Sequence, residues 1–306
     1  MQGLVIKSTG SWYTVLGDDA TRYECRIKGK LRMKGLVSTN PVAVGDRVDF
    51  EIEPDQETAV ISNIHDRKNY IIRKSINLSK QVQIIASNLD LACLVVTLAS
   101  PRTSLGFIDR FLVTAEAYGV PAILVFNKLD LFSEEGKEIL ANYMEMYEAI
   151  GYPCYAVSAA KGTNIEDLET VIKDKISLFS GHSGVGKSSL INRLIPGKEL
   201  RVGEISDWSD MGKHTTTFAE LFELPFGGKL IDTPGIRELG ITDIEKEELG
   251  HFFPEMRKLM HDCRFNNCVH VNEPGCAVLK ALENGEIEPS RYDSYQSIYF
   301  GNDTRG

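Results

Sequence analysis

The stretch Ile176-Ser-Leu-Phe-Ser-Gly-His-Ser-Gly-Val-Gly-Lys-Ser188 decides the fold of the chain around it. Its apolar start predicts a buried strand, and the residues that follow match G-x-x-x-x-G-K-[ST] and lead into a helix start. Strand, glycine loop and helix together are the context of a P-loop, in which backbone N–H groups and the helix N-terminus surround phosphates. We expect Lys187 to reach the β- and γ-phosphates of a nucleotide and Ser188 to bind Mg²⁺. The predicted phosphate-binding residues are Gly181, His182, Ser183, Gly184, Val185, Gly186, Lys187, Ser188 and Ser189.

Two motifs upstream of the P-loop predict which base is bound. Asn127-Lys-Leu-Asp130 follows an apolar run, and a carboxylate there can accept hydrogen bonds from N1–H and the 2-amino group of guanine, donors that adenine lacks. Ser158-Ala-Ala-Lys-Gly162 follows another predicted strand, and its backbone can donate to guanine O6. A site built around a buried acceptor rejects the wrong base by on the order of 10⁴. GTP is therefore the expected nucleotide, bound through Asn127, Lys128, Leu129, Asp130, Ser158, Ala159 and Ala160.

Downstream of the P-loop, Lys229-Leu-Ile-Asp-Thr-Pro-Gly235 reads as a strand followed by D-x-x-G. Asp232 is expected to hold Mg²⁺ through water, and the Gly235 N–H to sense the γ-phosphate. Between the two motifs, Gly212-Lys-His-Thr-Thr-Thr217 is placed to be the first switch. We expect Thr216 to close over Mg²⁺, with Thr215 as the alternative.

The residue that orients the attacking water is not the usual one. Ras-type enzymes place a glutamine just after D-x-x-G, but the residue here is Ile236, which cannot hydrogen-bond water. Basal turnover should therefore be slow. His214 in the first switch is one candidate for the missing polar group, and a group from a partner is another. The candidate catalytic residues are His214, Thr216 and Lys187.

The order of these motifs indicates a circularly permuted Ras-like α/β domain, because the base-binding motifs precede the P-loop. The intervening pattern predicts strands at 90–97, 121–126, 153–157 and 175–179, with helices at 106–118, 133–149 and 164–173. We predict that this GTPase domain covers residues 90–240. In such a permuted domain the D-x-x-G motif, which is the second switch, would lead straight into the C-terminal residues.

The flanking regions predict two further domains. Residues 1–65 contain short alternating strands typical of an OB-like β-barrel. Its basic loop residues (Lys28, Lys30, Arg32 and Lys34) and its aromatic residues (Trp12, Tyr13 and Tyr23) are candidates for RNA contact. The alternative, preferred for any single one of them, is a solvated loop and a barrel core that contains the aromatic rings. Residues 66–89 show no clear period and are predicted to be a linker. Residues 241–306 are predicted to be a helical zinc-binding domain.

Four residues of that C-terminal domain have metal-ligand spacing, in the pattern Cys263-x4-Cys268-x-His270-x5-Cys276. Three thiolates and one imidazole complete a tetrahedral Zn²⁺ site with no open position, so we expect a structural rather than a catalytic metal. A module of about 60 residues buries little apolar surface, and metal binding can supply the missing folding energy.

Composition limits the possible partners. The net charge of −9 argues against a surface that binds nucleic acid throughout, but residues 1–83 hold 13 Lys+Arg against 10 Asp+Glu, a balance of +3. RNA contact should therefore be local and weighted to the N-terminal part. The chain has neither an apolar run of about 18 residues nor a signal-peptide pattern, and its other cysteines (Cys25, Cys93 and Cys154) read as buried thiols. A cytoplasmic protein is expected.

The permuted motif order, the 212–217 segment, the barrel and the Cys/His module together resemble the small-ribosomal-subunit-dependent GTPases of the RsgA/YjeQ family, essentially from end to end. The resemblance implies a GTPase that binds the small (30S) ribosomal subunit and its 16S-type rRNA and hydrolyses GTP during late maturation, stimulated by the ribosome. A monomer is the default expectation. The alternative is an rRNA-binding scaffold whose hydrolysis is irrelevant, and an ATP-dependent kinase is contradicted by Asn127 and Asp130.

Overall fold

The N-terminal strands close into a five-stranded barrel, as predicted. The computed structural model describes residues 1–27, 41–54, 56–74, 82–198, 219–232 and 244–301. In the first ranges the strands are β1 (Gln2–Ser8), β2 (Tyr13–Gly17), β3 (Arg22–Ile27), β4 (Arg47–Ile52) and β5 (Thr58–Ile64). β1 pairs with both β2 and β4, which closes the order β1-β2-β3-β5-β4.

The structure distinguishes between the two interpretations of the barrel aromatics, core position and RNA contact. Tyr13 is 1% exposed and belongs to the barrel core, because alternate residues of β2 point inward. Tyr23 is half-buried, with its ring centroid 5.0 Å from that of Phe50. Trp12 is 43% exposed and is the one aromatic of the three that remains available for stacking. The basic residues Lys28, Lys30, Arg32 and Lys34 lie outside the described residues.

Residues 66–89, predicted to be a linker, include an antiparallel strand pair, β6 (Tyr70–Lys74) and β7 (Val82–Ser87). The pair is held to the barrel by the buried carboxylate of Asp46, which accepts hydrogen bonds from Arg67 Nη2 (2.6 Å) and Ser87 Oγ (2.6 Å). Gly45 has φ +95°, and a Cβ there would lie 2.1 Å from Ser87 O. The described part of this connection, residues 66–74 and 82–89, is therefore folded, although its sequence shows no clear period.

The central domain is an α/β sheet that matches the predicted element order. Its strands are β8 (Leu91–Val96), β9 (Ala122–Phe126), β10 (Cys154–Ala156), β11 (Ile176–Ser180), β12 (Glu220–Glu223) and β13 (Lys229–Asp232). Its helices are α1 (Leu105–Ala117), α2 (Glu134–Ala149), α3 (Ile165–Ile172) and α4 (Lys187–Leu194). For every helix and strand predicted between residues 90 and 179, both ends lie within one residue of the observed ends. The strands read as continuous apolar runs because helices cover both faces of the sheet.

The strand order of this sheet is β10-β9-β8-β11-β13-β12, and β12 is the antiparallel strand at its edge. The P-loop strand β11 lies between β8 and β13, and the carboxyl ends of the parallel strands β8, β9, β10, β11 and β13 lie along one edge of the sheet, the nucleotide edge. That edge is where parallel α/β sheets bind ligands. The edge strand β12 also pairs with β1, at Glu220 and Lys7, and this pairing joins the barrel to the sheet.

The C-terminal part is helical, with α5 (Pro254–Arg257), α6 (Ala277–Glu283) and α7 (Pro289–Phe300). Two 3-10 helices, Lys246–Phe252 and Met260–Asp262, precede α6. Its apolar core includes Val113 of α1, so the module packs directly on the GTPase domain. Within the described ranges, no helix combines the length and the apolar character needed to span a bilayer.

Candidate functional site

The P-loop backbone depends on glycine at two close approaches. Gly186, which caps the N-terminus of α4, has φ +88°, and a Cβ there would lie 2.4 Å from Asn127 Nδ2. A Cβ on Gly181 would lie 2.5 Å from the Val95 carbonyl of the neighbouring strand. Any side chain at either position would push the loop away from the strand ends, which explains the motif locally.

Asn127, in the first of the two base motifs, connects that motif to the P-loop and to the second base motif. Its side chain is 1% exposed; Nδ2 donates to Val185 O of the P-loop (2.9 Å) and Oδ1 accepts from Ala159 N (3.1 Å). Both ends of the amide are therefore satisfied by backbone groups of other motifs. Asn127 therefore holds the motifs together, whereas the sequence predicted it only as one of several nucleotide contacts.

The predicted guanine acceptor lies at the rim of this arrangement. Asp130 is exposed, which differs from the buried acceptor expected, and its carboxylate accepts a hydrogen bond from Ser158 Oγ. Ser158 Oγ in turn accepts from Lys161 N (3.1 Å). Lys128 adopts φ +66° and donates from Nζ to the Ser100 carbonyl, so its side chain crosses the nucleotide edge of the sheet. The two base motifs thus support each other, and a planar base placed against Asp130 would shield it from water.

Lys187 and Asp232, the residues expected to meet the phosphates and Mg²⁺, form an ion pair. Their side chains are 12% and 6% exposed, so the pair is largely removed from water. The ammonium suits a phosphate oxygen and the carboxylate suits a hydrated cation, so a Mg²⁺–nucleotide complex offers each group a partner of opposite charge. Ser188 lies on the first turn of α4, next to Lys187, and is half-buried.

Several predicted site residues lie outside the described residues. These are the switch residues His214, Thr215 and Thr216, the D-x-x-G glycine Gly235, and Ile236.

The β8–α1 connection and the first turn of α1 also contribute to the site, although no sequence motif predicted this. Phe107, in the first turn of α1, lies against His182 of the P-loop, with ring centroids 3.7 Å apart. A Cβ on Gly184 would lie 3.2 Å from Pro101 Cδ of the same connection. No motif marks these residues; the only local signal is Ser104, whose side chain caps α1 by accepting from Phe107 N.

The four predicted metal ligands come together. One ligand atom from each of Cys263, Cys268, His270 and Cys276 lies within 4.8 Å of the others. Cys263 Sγ and Cys276 Sγ are 4.0 Å apart, and His270 Nδ1 is 3.6 and 3.4 Å from them. A tetrahedral site with bonds of about 2.3 Å has edges of about 3.8 Å, so the donor set fits one metal ion.

The surroundings of the cluster favour metal binding. Burial raises the pKa of the Cys268 thiol to about 12 and lowers the pKa of His270, which keeps the imidazole neutral as a ligand must be. Backbone N–H groups of Ala277 and Leu279 lie 3.4 Å from Cys263 Sγ and Cys276 Sγ, where they support thiolates. A cation at the centre would supply the charge that makes deprotonation of the buried thiols favourable.

The loop that carries His270 is held by hydrogen bonds to Tyr292 of α7 and to the Glu273 carboxylate. Tyr292 of α7 donates to His270 O (2.8 Å), and the Glu273 carboxylate accepts from Val269 N (2.6 Å) and Val271 N (2.9 Å). Partial burial opposes ionisation of Glu273, but these backbone donors outweigh it and lower its pKa. The ligand loop is therefore held in shape by groups beyond the four ligands.

Comparison with known proteins agrees with this geometry. Residues 64–242 match the family described as RsgA GTPase, and residues 2–61 match the RsgA N-terminal domain. A protein of Flavobacterium psychrophilum named small ribosomal subunit biogenesis GTPase RsgA is 53% identical over 305 residues, 99% of this chain and 94% of that protein. A Bacteroides thetaiotaomicron protein, small ribosomal subunit biogenesis GTPase RsgA 2, is 55% identical over 298 residues, covering 97% and 96%.

Solved structures show the same fold along the whole chain. The crystal structure of YjeQ from Thermotoga maritima matches with a TM-score of 0.79 and 38% identity, covering 100% of this chain and 99% of that one. YloQ, described as a circularly permuted GTPase, matches with a TM-score of 0.75 and 32% identity, covering 100% and 96%. Because the family matches more than half of the chain and the relatives match it almost from end to end, the chain belongs to the RsgA GTPase family.

Proposed function

We propose that this protein binds the small (30S) ribosomal subunit and its 16S-type rRNA, and hydrolyses GTP to GDP during late maturation of the subunit. Membership of a GTPase family implies binding of GTP, GDP and Mg²⁺. The relatives named as small-subunit biogenesis GTPases support the partner. The observation that carries the proposal is the buried Asn127 amide, which joins the P-loop to both guanine motifs.

The nucleotide roles are proposed for individual residues. Lys187 would hold the β- and γ-phosphates, and Asp130 would select guanine. Mg²⁺, which neutralises charge between the β- and γ-phosphates, would be held by Ser188, Thr216 and Asp232. Gly235 would sense the γ-phosphate. His214 and Thr216 complete the proposed catalytic set with Lys187.

The cluster of Cys263, Cys268, His270 and Cys276 is proposed to hold one structural Zn²⁺, since its four donors leave no position for a substrate. The domain ranges 1–65, 66–89, 90–240 and 241–306 are proposed as barrel, linker, GTPase and zinc module. We place the protein in the cytoplasm as a monomer, with the barrel contributing rRNA contacts.

GTP hydrolysis by the purified protein, with and without small subunits, tests the proposal. Small subunits should raise turnover by a factor on the order of 10³–10⁵ if they supply or order the missing polar group. Large subunits serve as the control for specificity. Lys187→Ala should abolish the stimulated rate, whereas Lys137→Ala, on the exposed face of α2, should leave it unchanged.

The alternative scaffold function predicts a different result: tight GDP and GTP binding with no stimulation by either subunit. His214→Ala separates the two sources of the polar group. It should lower the stimulated rate and leave GDP affinity intact; an unchanged stimulated rate would remove His214 from the mechanism.

A further inference from the structure

A groove that encloses about 440 Å³ lies between α2 of the GTPase domain and the C-terminal module. α2 forms one wall, and residues 286–288 with parts of α5 and α7 form the other. The walls touch where Ser290 Oγ lies 3.7 Å from Met146 Sδ, so the folded chain sets the width of the groove. The volume lies in the range of ligand pockets, about 300–1,000 Å³. Neither the nucleotide site nor the metal cluster uses the lining residues, so the groove requires its own explanation.

The rim of the groove is acidic on both walls. Glu145 lies on the α2 wall, Glu286 and Glu288 lie on the other, and all three are exposed. None of the three forms an ion pair with a described residue; Glu286 accepts from the Asn284 amide (3.1 Å), which brings no charge. The charge extends beyond the rim, because α2 contains five Glu against one Lys and residues 283–288 contain three Glu and no Lys or Arg. Two like-charged walls focus a negative potential into the groove between them.

The one cation of the lining, Arg291, is already shared by two buried carboxylates. It donates to Glu255 (2.7 Å) and to Asp109 (2.6 Å) and is 1% exposed. Asp109 Oδ2 accepts no hydrogen bond from a described residue, so this network has more acceptors than donors. Arg291 therefore leaves the three rim carboxylates without a counter-charge.

The floor of the groove on the α2 side is apolar. Met146, Ala149 and Ile150 line it, and Ala149 is exposed while the other two are half-buried. Ile139 is 43% exposed and lies on the same face of α2, because it precedes Asn142 by three residues and Met146 by seven. An apolar stripe between acidic edges is complementary to an amphipathic segment that carries Lys or Arg beside its apolar side chains.

We propose that this groove binds a basic, amphipathic segment of a small-subunit protein, with its Lys or Arg side chains at Glu145, Glu286 and Glu288 and its apolar side chains on the floor. The inference rests on the proposed function, which supplies the source of the partner. Proteins that neutralise RNA phosphates carry Lys/Arg-rich segments of this kind. RNA itself is disfavoured in the groove, since its phosphates would meet the three carboxylates. The groove thus adds a protein-binding surface to the rRNA contacts proposed for the barrel.

The first test uses the full-length, metal-loaded protein and a fluorescein-labelled helical peptide of about 16 residues, with lysine on one face and leucine on the other. Glu145→Gln with Glu288→Gln should weaken binding by a factor on the order of ten. Glu166→Gln with Asp167→Asn is the matched control: it removes the same charge from exposed positions on α3 and should change affinity by less than about twofold. Metal content and basal GTP hydrolysis should be equal in all three proteins.

The apolar floor is tested with the same peptide. Ile139→Ser should weaken binding severalfold, whereas Ile52→Ser, which removes a 52%-exposed isoleucine from the barrel, should not. Equal weakening by the two charge variants would mean that net charge alone attracts the peptide, and it would overturn the proposal. The proposal also fails if the unchanged protein does not bind the peptide or if Ile139→Ser binds it as tightly.

The second test identifies the partner on the small subunit. The photo-crosslinking amino acid p-benzoylphenylalanine replaces Asn142 in the full chain, which is then bound to purified small subunits and irradiated. The crosslink should join a Lys/Arg-rich segment of a subunit protein, identified by peptide sequencing, and Glu145→Gln with Glu288→Gln should abolish it. Crosslinks to rRNA alone, or none, with GTP hydrolysis still stimulated by small subunits, would overturn the inference and leave the proposed function standing. Failure of the proposed function is a separate result, namely no stimulation of the unchanged protein by small subunits.

Discussion

At the scale of single residues, the nucleotide edge is organised by side chains that contact backbone groups of other motifs. Asn127 donates to the P-loop and accepts from the loop after β10, while Ser158 donates to Asp130. Gly186 permits the contact because any Cβ there would collide with the Asn127 amide. Each motif is thus positioned by its neighbours, and one substitution can disturb more than one contact to the nucleotide.

Base selection can be tested at Asp130. Asp130→Asn replaces an acceptor with an amide that cannot accept from both guanine donors, so GTP affinity should fall by a factor on the order of 10² or more. Xanthine carries a carbonyl where guanine carries its amino group, so the same variant should gain affinity for XTP. Competition between the two nucleotides in a fluorescence binding assay measures both effects.

Asp167→Asn is the control, since it changes an exposed carboxylate on α3 in the same way. If Asp130→Asn bound GTP as tightly as the unchanged protein, Asp130 would not be the guanine acceptor.

At the scale of elements, α1 connects the nucleotide edge to the C-terminal module. Its first turn contacts the P-loop through Phe107 and His182. Further along, Asp109 accepts a hydrogen bond from Arg291 of α7 (2.6 Å), and Arg291 also donates to Glu255 of α5 (2.7 Å). Asp109 and Arg291 are 0% and 1% exposed. One helix therefore touches both the P-loop and a buried charge network that holds the module.

Removing the charge at the centre of that network should be costly. Arg291→Met leaves the carboxylates of Asp109 and Glu255 without their cation, and breaking a buried pair in this way costs about 3–5 kcal/mol. Arg257→Met is the matched control, because it removes an ion pair with Glu116, which lies on α1 like Asp109. That pair is partly exposed, and such pairs are worth about 0–1 kcal/mol. Denaturant unfolding of both variants measures the free energies, and equal losses would contradict the argument.

The loss in Arg291→Met should also depend on pH. Burial raises the pKa of Asp109, and the Arg291 charge opposes that rise. Without Arg291, the folded state holds the Asp109 proton to higher pH than the unfolded state does, so stability increases as pH falls through the raised pKa. The deficit relative to the unchanged protein should therefore be largest near neutral pH and shrink in acid.

At the scale of the whole molecule, three units are joined by a few contacts between distant parts of the chain. The barrel meets the sheet where Lys7 pairs with Glu220, and the 66–89 segment meets the barrel through Asp46 and Arg67. The C-terminal module meets the sheet domain through α1 and α7. Its own apolar core is small, so the four-residue metal cluster is expected to carry much of its stability.

Metal removal should therefore unfold one unit and spare the others. Structural Zn²⁺ can contribute on the order of 10 kcal/mol to folding. After treatment with a strong chelator, residues 244–301 should lose protection from hydrogen exchange, while the barrel and GDP binding are retained. Cys263→Ser should behave in the same way without a chelator. Unchanged protection after the metal has left would show that the module does not depend on it.

Sequence alone determined the features that are local in the chain. Alternation predicted the barrel strands, apolar runs predicted the sheet strands, and fixed spacings predicted the P-loop, the base motifs and the Cys/His cluster, because each reflects the backbone geometry of one short segment. Permutation leaves these signals intact, since a motif needs only its own strand and turn.

Only the tertiary structure decided which distant residues meet. The bridging role of Asn127, the pairing of Lys187 with Asp232, the inward position of Tyr13, the strand pair in residues 66–89 and the network of Arg291 with Asp109 all depend on it. Arg291 and Asp109 are 182 residues apart, and no local pattern predicts that a particular arginine will find a particular carboxylate. Such contacts follow from how whole helices and strands pack, and this packing is a property of the folded chain rather than of any one segment.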